Sequence, residues 1–227
     1  MTVEPTKPTD TPSPSQLLAN NHEWATSITS NNPSFFRDLA ANAQRPKYLW
    51  IGCSDSRASP ELLTGLGLGD VFAQRNIANQ VDNADPSVLG VIAFAVQALG
   101  VRHIIVCGHT HCGGAHASLP GKDGEMKTLA TPWLRHSVGP WLHGLRDVYR
   151  LYEEELDEIV DEEKRRDRLA EVNVLEQCRN VERILRAHSD GENVTVHGWM
   201  FEMGSGMLVD VLGDAASKPG LPLPLPL

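Results

Sequence analysis

Several features that would place this chain in a special class are scarce or missing. Only four cysteines occur in 227 residues, too few for a disulfide-stabilised scaffold. The sequence contains no apolar run of about 18 residues, so no transmembrane helix is expected. The 20 basic residues are outnumbered by 29 acidic ones, and a net charge of −9 argues against nucleic acid as a partner. The remaining composition, 41% hydrophobic and 22% charged, is that of a globular protein with a sizeable core.

Both ends of the sequence lack the patterns of folded elements. Residues 1–15 are rich in Pro and Thr and have no apolar segment, so they predict a disordered arm and no secretory or mitochondrial targeting signal. Residues 215–227 end in alternating Leu and Pro, which predicts an extended tail. A single domain is therefore expected over residues 16–214, and the cytoplasm is the expected compartment.

Alternating strand and helix signals predict an α/β fold, with a mostly parallel central sheet flanked by helices and an N-terminal helical arm. Strands are predicted at residues 48–53, 71–74, 103–107, 193–197 and 207–212. Helices are predicted after the capping signals Asn32-Pro33 and Asp85-Pro86, and the second of these is apolar on nearly all sides, so it is expected to be buried. Residues 144–188 predict a long, charged helical stretch.

Candidate metal ligands lie in the loops that follow two of the predicted strands. Cys53 and Asp55 follow the strand at 48–53, and His109 and Cys112, spaced H-x-x-C, follow the strand at 103–107. The C-terminal ends of parallel strands meet at one edge of a sheet, so these side chains are expected to converge. Two thiolates and one imidazole suit zinc, which accepts sulfur ligands and tetrahedral geometry without redox demand.

Three protein ligands leave a fourth position, and its occupant separates two interpretations. Water in that position makes a catalytic zinc, because the metal lowers the pKa of bound water to about 7. The carboxylate of Asp55 in that position makes a closed structural zinc site, which is chemically just as reasonable. Arg57 would pair with Asp55 and compete with the metal for it. His111 alternates away from the site if its loop stays extended, and Cys107 and Cys178 are expected to be core thiols.

Three sequence motifs together resemble those of the β-class carbonic anhydrases of fungal or bacterial kind. They are C-S-D-S-R at 53–57, R-N-I-A-N at 75–79 and G-H-T-H-C-G-G at 108–114. The resemblance runs from about residue 16 to about residue 212, and the pairing of C-x-D-x-R with H-x-x-C-G-G at this separation is highly specific. It implies a zinc-dependent lyase that hydrates CO₂ to bicarbonate and a proton through a zinc-bound hydroxide.

The resemblance also implies roles for individual residues. Cys53, His109 and Cys112 would bind zinc, Asp55 and Arg57 would form the catalytic dyad, and Asp55 would reach the metal in a closed state. The implied lining of the CO₂ pocket is Gln44, Phe72, Ile77, Phe94, Gly113 and Gly114. Apolar walls suit an uncharged substrate, and the two glycines would offer backbone N–H groups to an anion. For Phe72 and Ile77, core packing explains the residue types nearly as well.

Assembly and regulation are implied by the resemblance as well. The family forms dimers, some of which pair into tetramers, so a homodimer or a dimer of dimers is expected, with segment 15–43 wrapped on the partner. Some members bind a second, inhibitory bicarbonate through a Trp, an Arg and a Tyr. Trp50 and Arg75 stand at two of these positions, and Phe201 stands at the third without the hydroxyl, so weak inhibition is expected.

Two other functions stay open at this point. Hydrolysis of CS₂ or COS would use the same scaffold and ligands, because these substrates differ from CO₂ only in size and polarity. A non-enzymatic binding module stabilised by a closed, four-ligand zinc is the other alternative. Arg57 beside Asp55 speaks against the module, since a structural carboxylate ligand needs no competing cation.

Overall fold

A computed structural model of the chain describes residues 11–121, 129–188 and 193–215. The chain divides into two compact units, one ending at Gln44 and the other beginning at Arg45. The predicted arm and tail fall largely outside the described residues, although a helix already begins at Pro14. Within the described ranges, no helix combines the length and the apolar character that a membrane crossing requires.

The first unit consists of two helices, α1 (Pro14–Asn31) and α2 (Phe35–Ala41). They contact each other through Trp24 and Phe36, whose rings meet edge to face with centroids 5.5 Å apart. No residue of α1 is buried, and Leu18 is 74% exposed. The predicted N-terminal helical arm is therefore present, but it buries none of its apolar side chains within the single chain.

A five-stranded sheet in the order β2-β1-β3-β4-β5 forms the centre of the second unit. The strands are β1 (Tyr48–Cys53), β2 (Val71–Asn76), β3 (His103–His109), β4 (Thr195–Glu202) and β5 (Met207–Asp210). The first four are parallel, and β5 is antiparallel to β4 because a tight turn at 203–206 joins them. The central strands β1 and β3 are buried almost throughout, which explains their continuous apolar sequence. The prediction of a mostly parallel α/β fold is confirmed.

Eight helices of the described residues belong to this unit. They are α3 (Pro60–Thr64), α4 (Pro86–Ala93), α5 (Gly113–Ser118), α6 (Pro132–Trp141), α7 (His143–Leu151), α8 (Glu153–Glu158), α9 (Glu162–Ala187) and α10 (Val211–Ala215). The longest, α9, contacts both β3 and β4 and forms much of the core between helix and sheet. Its buried face is apolar except for Asn173 and Gln177.

Local capping groups explain where the elements differ from the predictions. The charged stretch at 144–188 forms three helices, and α9 begins anew because Asp161 accepts hydrogen bonds from the N–H groups of Glu163 and Lys164. The last predicted strand ends at Asp210, whose carboxylate accepts from the N–H of Leu212 and starts α10. The strands predicted at 71–74, 103–107 and 193–197 continue further, because they run to the sheet edge that carries the site.

The helix after Asp85 is buried on one side only, contrary to the prediction. Val88, Ile92 and Ala95 are buried, but Phe94, in a π-helical turn that continues α4, is 49% exposed. The sequence is apolar around nearly the whole helix, so this exposed side is an apolar surface on the single chain.

Candidate metal centre and active site

Three side chains with metal-binding atoms meet at the C-terminal edge of the sheet. Cys53 ends β1, His109 ends β3, and Cys112 precedes α5. Their sulfur and imidazole nitrogen atoms all lie within 4.8 Å of one another, and all three residues are buried. The parallel pairing of β1 and β3 brings the two loops together, as the strand pattern predicts.

The imidazole of His109 is oriented by its own loop. Its Nδ1 lies 2.8 Å from the carbonyl oxygen of Thr110, and because a carbonyl only accepts, Nδ1 carries the proton and Nε2 keeps a lone pair. The buried Nε2 has no hydrogen-bond partner among the described residues. A cation beside the two thiols would satisfy this atom, so the residues fit zinc, which prefers sulfur and imidazole ligands.

The two thiols influence each other strongly. The contact with Cys112 lowers the pKa of Cys53, and the same contact, together with burial, raises the pKa of Cys112. The N–H of Ala78 donates to Cys53 Sγ at 3.3 Å. The backbone N–H groups of Ala115 and Gly114 partly oppose the rise in the pKa of Cys112. A bound dication would let both thiols ionise together.

Asp55 and Arg57 form a tightly bonded pair beside the donor atoms. Arg57 donates from Nε to Asp55 Oδ1 at 2.9 Å, from Nη2 to Oδ2 at 2.7 Å and from its backbone N–H to Oδ1 at 3.0 Å. These bonds hold the pKa of the Asp55 carboxyl well below its usual range. Asp55 Oδ2 also lies 3.9 Å from His109 Nε2. The carboxylate therefore borders the donor atoms while both of its oxygens are held by arginine.

Arg75 supports the loop that carries this pair. Its Nε donates to the carbonyl oxygen of Cys53 at 2.9 Å and its Nη2 to that of Asp55 at 2.6 Å. Arg75 is the next-to-last residue of the neighbouring strand β2, so the bonds link two strand ends. The guanidinium thus fixes the backbone from the first thiol to the carboxylate.

The residues of the predicted second anion site lie together on one face of the sheet. Arg75 is in register with Gly52, and the indole of Trp50 covers Gly52 so closely that a Cβ there would lie 2.3 Å from Trp50 Nε1. Trp50 and Phe201 belong to the same small buried cluster. Anion binding at this place stays a prediction, and Arg75 already donates to two backbone carbonyls.

The residues predicted to line the CO₂ pocket divide into two groups. Ile77 lies in the turn after β2, and Gly114 lies in α5, two residues after Cys112. A Cβ on Gly114 would be 3.2 Å from Ile77 Cγ2. Phe72 and Phe94 stack on each other with ring centroids 5.8 Å apart. Phe72 is in register with Leu49, about 13 Å of strand before the end of β1. Within one chain, these two rings are therefore not beside the donor atoms.

The other two predicted pocket residues are exposed. Gln44 ends the first unit, and Gly113 begins α5 with open space around the position of a Cβ. Their roles in substrate binding stay predictions.

Sequence reasoning missed the contacts that α9 makes with the loop after β3 and with the turn after β2. The His111 N–H donates to Asp167 Oδ1 at 2.8 Å, and His111 Nδ1 lies 2.8 Å from Arg166 Nη2. These contacts hold His111 at φ 58°, so it leaves the donor atoms through a left-handed turn and not through the strand-like alternation expected. Asn173 donates to the carbonyl oxygen of Ala78 in the turn after β2, and the N–H of Ala78 donates to Cys53 Sγ. A buried amide on an otherwise apolar helix face is the signal that could have revealed it.

Comparison with known proteins identifies the protein family. A sequence profile described as carbonic anhydrase matches residues 48–208. A carbonic anhydrase of Emericella nidulans is 43% identical over 199 residues, which cover 86% of this chain and 82% of that protein. A carbonic anhydrase of Pseudomonas aeruginosa is 38% identical over 191 residues, covering 81% of this chain and 80% of that protein.

Two solved structures show the same fold. A tetrameric β-carbonic anhydrase of Sordaria macrospora is 37% identical, covers 86% of this chain and 94% of its own, and has a TM-score of 0.76. The β-carbonic anhydrase of Coccomyxa, solved with acetazolamide, is 30% identical, covers 91% and 92% of the two chains, and has a TM-score of 0.77. Together with the Cys-His-Cys cluster at the sheet edge, these similarities show that the chain belongs to the β-class of the carbonic anhydrases, enzymes that hydrate CO₂.

Proposed function

We propose that this carbonic anhydrase holds zinc through Cys53, His109 and Cys112 and uses Asp55, fixed by Arg57, to orient the water that attacks CO₂. The observation that carries the proposal is the meeting of three donor atoms within 4.8 Å, beside a carboxylate that arginine holds. When bound, zinc supplies the Lewis acid that makes water a nucleophile at neutral pH.

Asp55 acts as a hydrogen-bond acceptor in this proposal. Its lowered pKa keeps it ionised, so it only accepts, and Oδ2 lies 3.9 Å from the His109 nitrogen that faces the metal position. A hydrogen bond accepted at Oδ2 from the attacking water would turn a lone pair of its oxygen toward the carbon of CO₂. The three bonds from Arg57 keep the carboxylate from becoming a fourth ligand, which favours an open catalytic site over a closed structural one.

The rest of the proposed pocket is apolar or offers weak polar contacts. Ile77 would form the wall beside the donor atoms, and Gly113 and Gly114 would present backbone N–H groups to the anionic product. An apolar wall retains uncharged CO₂ and does not hold bicarbonate, so it favours release of the product.

We propose that the chain works as a homodimer or a dimer of dimers in the cytoplasm. Phe94 is 49% exposed beside Phe72, and α1 buries none of its residues, so both surfaces suit a second copy of the chain. In such an assembly, the Phe72–Phe94 stack of one subunit would complete the apolar wall for its neighbour. The Sordaria macrospora relative is tetrameric, and the four free thiols of this chain suit a reducing compartment.

The oligomer is tested by light scattering coupled to gel filtration of the full chain. A mass of two or four times 24.9 kDa is expected. Replacing Trp24 and Leu18 by Asp should lower the mass if α1 wraps on the partner. A wild-type protein that runs as a monomer would contradict the proposal.

The metal site is tested by comparing two cysteine variants. Cys112→Ser should lose zinc and CO₂ hydration, whereas Cys178→Ser, a buried thiol on α9 far from the donor atoms in sequence, should retain both. Chelation of the wild-type protein should abolish hydration, and added zinc should restore it. A Cys112→Ser variant that keeps full zinc content would refute the assignment of ligands.

A further inference from the structure

A strained turn lies between β2 and α4. Residues Ile77–Asn79 form a single helical turn in which Ala78 has φ 62° and ψ 31° and Asn79 has φ 47°. Residues other than glycine rarely adopt this left-handed conformation, because Cβ crowds the backbone. Such a turn persists only where contacts from the surrounding structure hold it.

Ala78 in this turn touches both halves of the metal site. Its N–H donates to Cys53 Sγ at 3.3 Å. On the other side, its Cβ lies so near Gly114 that a Cβ added to Gly114 would be 2.9 Å away. Ala78 is 1% exposed, so it is enclosed between the first thiol and the loop that carries the second. The direction of its N–H therefore depends on the peptide units before and after it.

The peptide unit before Ala78 is held by α6. The indole Nε1–H of Trp141 donates to the carbonyl oxygen of Ile77 at 2.9 Å. This carbonyl and the Ala78 N–H belong to the same planar peptide group and point in opposite directions. A bond that fixes the carbonyl therefore aims the N–H at Cys53, and it also polarises the N–H as a donor.

The peptide unit after Ala78 is held by α9. The carbonyl oxygen of Ala78 accepts from Asn173 Nδ2 at 3.0 Å and from Gln80 Nε2 at 2.8 Å. Asn173 Oδ1 accepts in turn from Gln80 Nε2 at 2.8 Å and from Gln177 Nε2 at 2.9 Å. These three amides are at most 5% exposed. Buried amides are costly unless they are bonded, and this network ends on Ala78.

We propose that Trp141 and Asn173 are positioning residues of the metal centre. They fix the two peptide units that flank Ala78, so that its N–H stays aimed at the sulfur of Cys53. The inference rests on the proposed function, because it requires Cys53 to be a metal ligand. A hydrogen bond to a ligating sulfur orients it and draws charge from it, and outer contacts of this kind change metal affinity by about 10- to 100-fold.

Each helix offers a matched pair of variants. Trp141→Phe keeps an aromatic ring but removes the N–H, and Trp133→Phe on the same helix is its control, since Trp133 is 80% exposed. Asn173→Ala removes the bond to Ala78, and Glu182→Ala on the same helix is its control, since the Glu182 carboxylate pairs with Arg186 instead. The measurements are zinc affinity in competition with a chromophoric chelator and the sulfur-to-metal charge-transfer band of the cobalt(II)-substituted protein.

Trp141→Phe and Asn173→Ala are expected to weaken zinc binding by about tenfold or more. They should also move the charge-transfer band to lower energy, because a sulfur without its hydrogen bond gives up electrons more easily. The two control variants should do neither. The band is the decisive readout, since a residue that merely stabilises the fold does not change the electronic state of the sulfur.

The inference is overturned if the folded variants bind zinc as tightly as the wild-type protein and their charge-transfer band does not move. It is also overturned if the variants lose stability while the band does not move. If Asn173→Ala does not fold, Trp141→Phe decides the question alone, because the ring is kept. A wild-type protein that binds no zinc at Cys53 would overturn the proposed function and the inference with it. Tight zinc binding by wild type and variants alike would overturn only the inference.

Discussion

Gly114→Ala is expected to disturb the metal centre, whereas Gly113→Ala is expected to leave it intact. Neither glycine has a positive φ, so the backbone admits alanine at both positions. The surroundings differ, because nothing lies within 4 Å of a Cβ on Gly113, while a Cβ on Gly114 would lie 2.9 Å from Ala78 Cβ and 3.2 Å from Ile77 Cγ2. The pair therefore isolates the contact between α5, next to Cys112, and the turn at Ala78.

The size of the effect follows from these distances. Carbon atoms pack at about 3.5–4.0 Å, so the new methyl group must displace the turn at Ala78 by roughly 0.5–1 Å. Overpacking of this kind costs about 1–3 kcal/mol, and the better helix propensity of Ala offsets at most about 1 kcal/mol. Gly114→Ala is therefore expected to lose about 0–3 kcal/mol of unfolding free energy, and Gly113→Ala to gain at most about 1 kcal/mol. The displacement also moves the Ala78 N–H away from Cys53.

Urea unfolding followed by circular dichroism measures the unfolding free energy, and competition with a chelator measures zinc affinity. Gly114→Ala should bind zinc about tenfold more weakly than Gly113→Ala, because an outer contact of the thiolate is lost. The reasoning fails if the two variants share the same stability and the same affinity. That result would mean that the turn at Ala78 does not press on the ligand loop.

Three further outcomes are expected. Asp55→Asn should keep zinc and lower the rate of CO₂ hydration by about 10²- to 10⁴-fold, and a retained rate would contradict the role of the carboxylate. Burial and the neighbouring His103 lower the pKa of His197, so the unfolded chain takes up a proton there before the folded chain does, and stability should fall as the pH drops below about 6.5. Urea unfolding at about pH 7.5 and about pH 5.5 should show a smaller fall for His197→Gln, and an equal fall would exclude this source. Phe201→Tyr should strengthen inhibition by bicarbonate in steady-state kinetics, whereas strong cooperative inhibition of the unchanged protein would show that the hydroxyl is not needed.

The parallel core of the fold could be predicted because its strands are buried on both faces. β1 and β3 are then continuous apolar runs, which stand out in the sequence, and their polar C-terminal loops mark the sheet edge where ligands bind. The meeting of Cys53 with His109 follows from parallel pairing alone. The ends of the helices and strands are harder to predict, because single side chains decide them. Asp161 and Asp210 start helices by accepting backbone hydrogen bonds, and period and propensity do not reveal which acidic residue will cap.

The exposed side of the helix after Asp85 was hidden from sequence reasoning for a different reason. Apolar periodicity reports that a surface is covered, but not which chain covers it. Phe94 has the residue type of a core position and is half exposed in the single chain, where it stacks on Phe72. An apolar side that the described residues leave uncovered is what a subunit interface would leave behind. The pattern therefore predicts burial correctly only if the assembly, and not the single chain, is the folded unit.

The support of the metal site could not be predicted from motif spacing, because its hydrogen bonds join distant parts of the chain. Asn173 lies 95 residues from Ala78, and Trp141 lies 64 residues from Ile77. α9 contributes no metal ligand, yet it holds one loop through Asn173 and the other through the bond between His111 and Asp167. The segments that follow β2 and β3 are therefore both hydrogen-bonded to the same helix. Ligand motifs predict which atoms would bind the metal, whereas the residues that we propose to position them, Trp141 and Asn173, lie on two helices that carry no ligand motif.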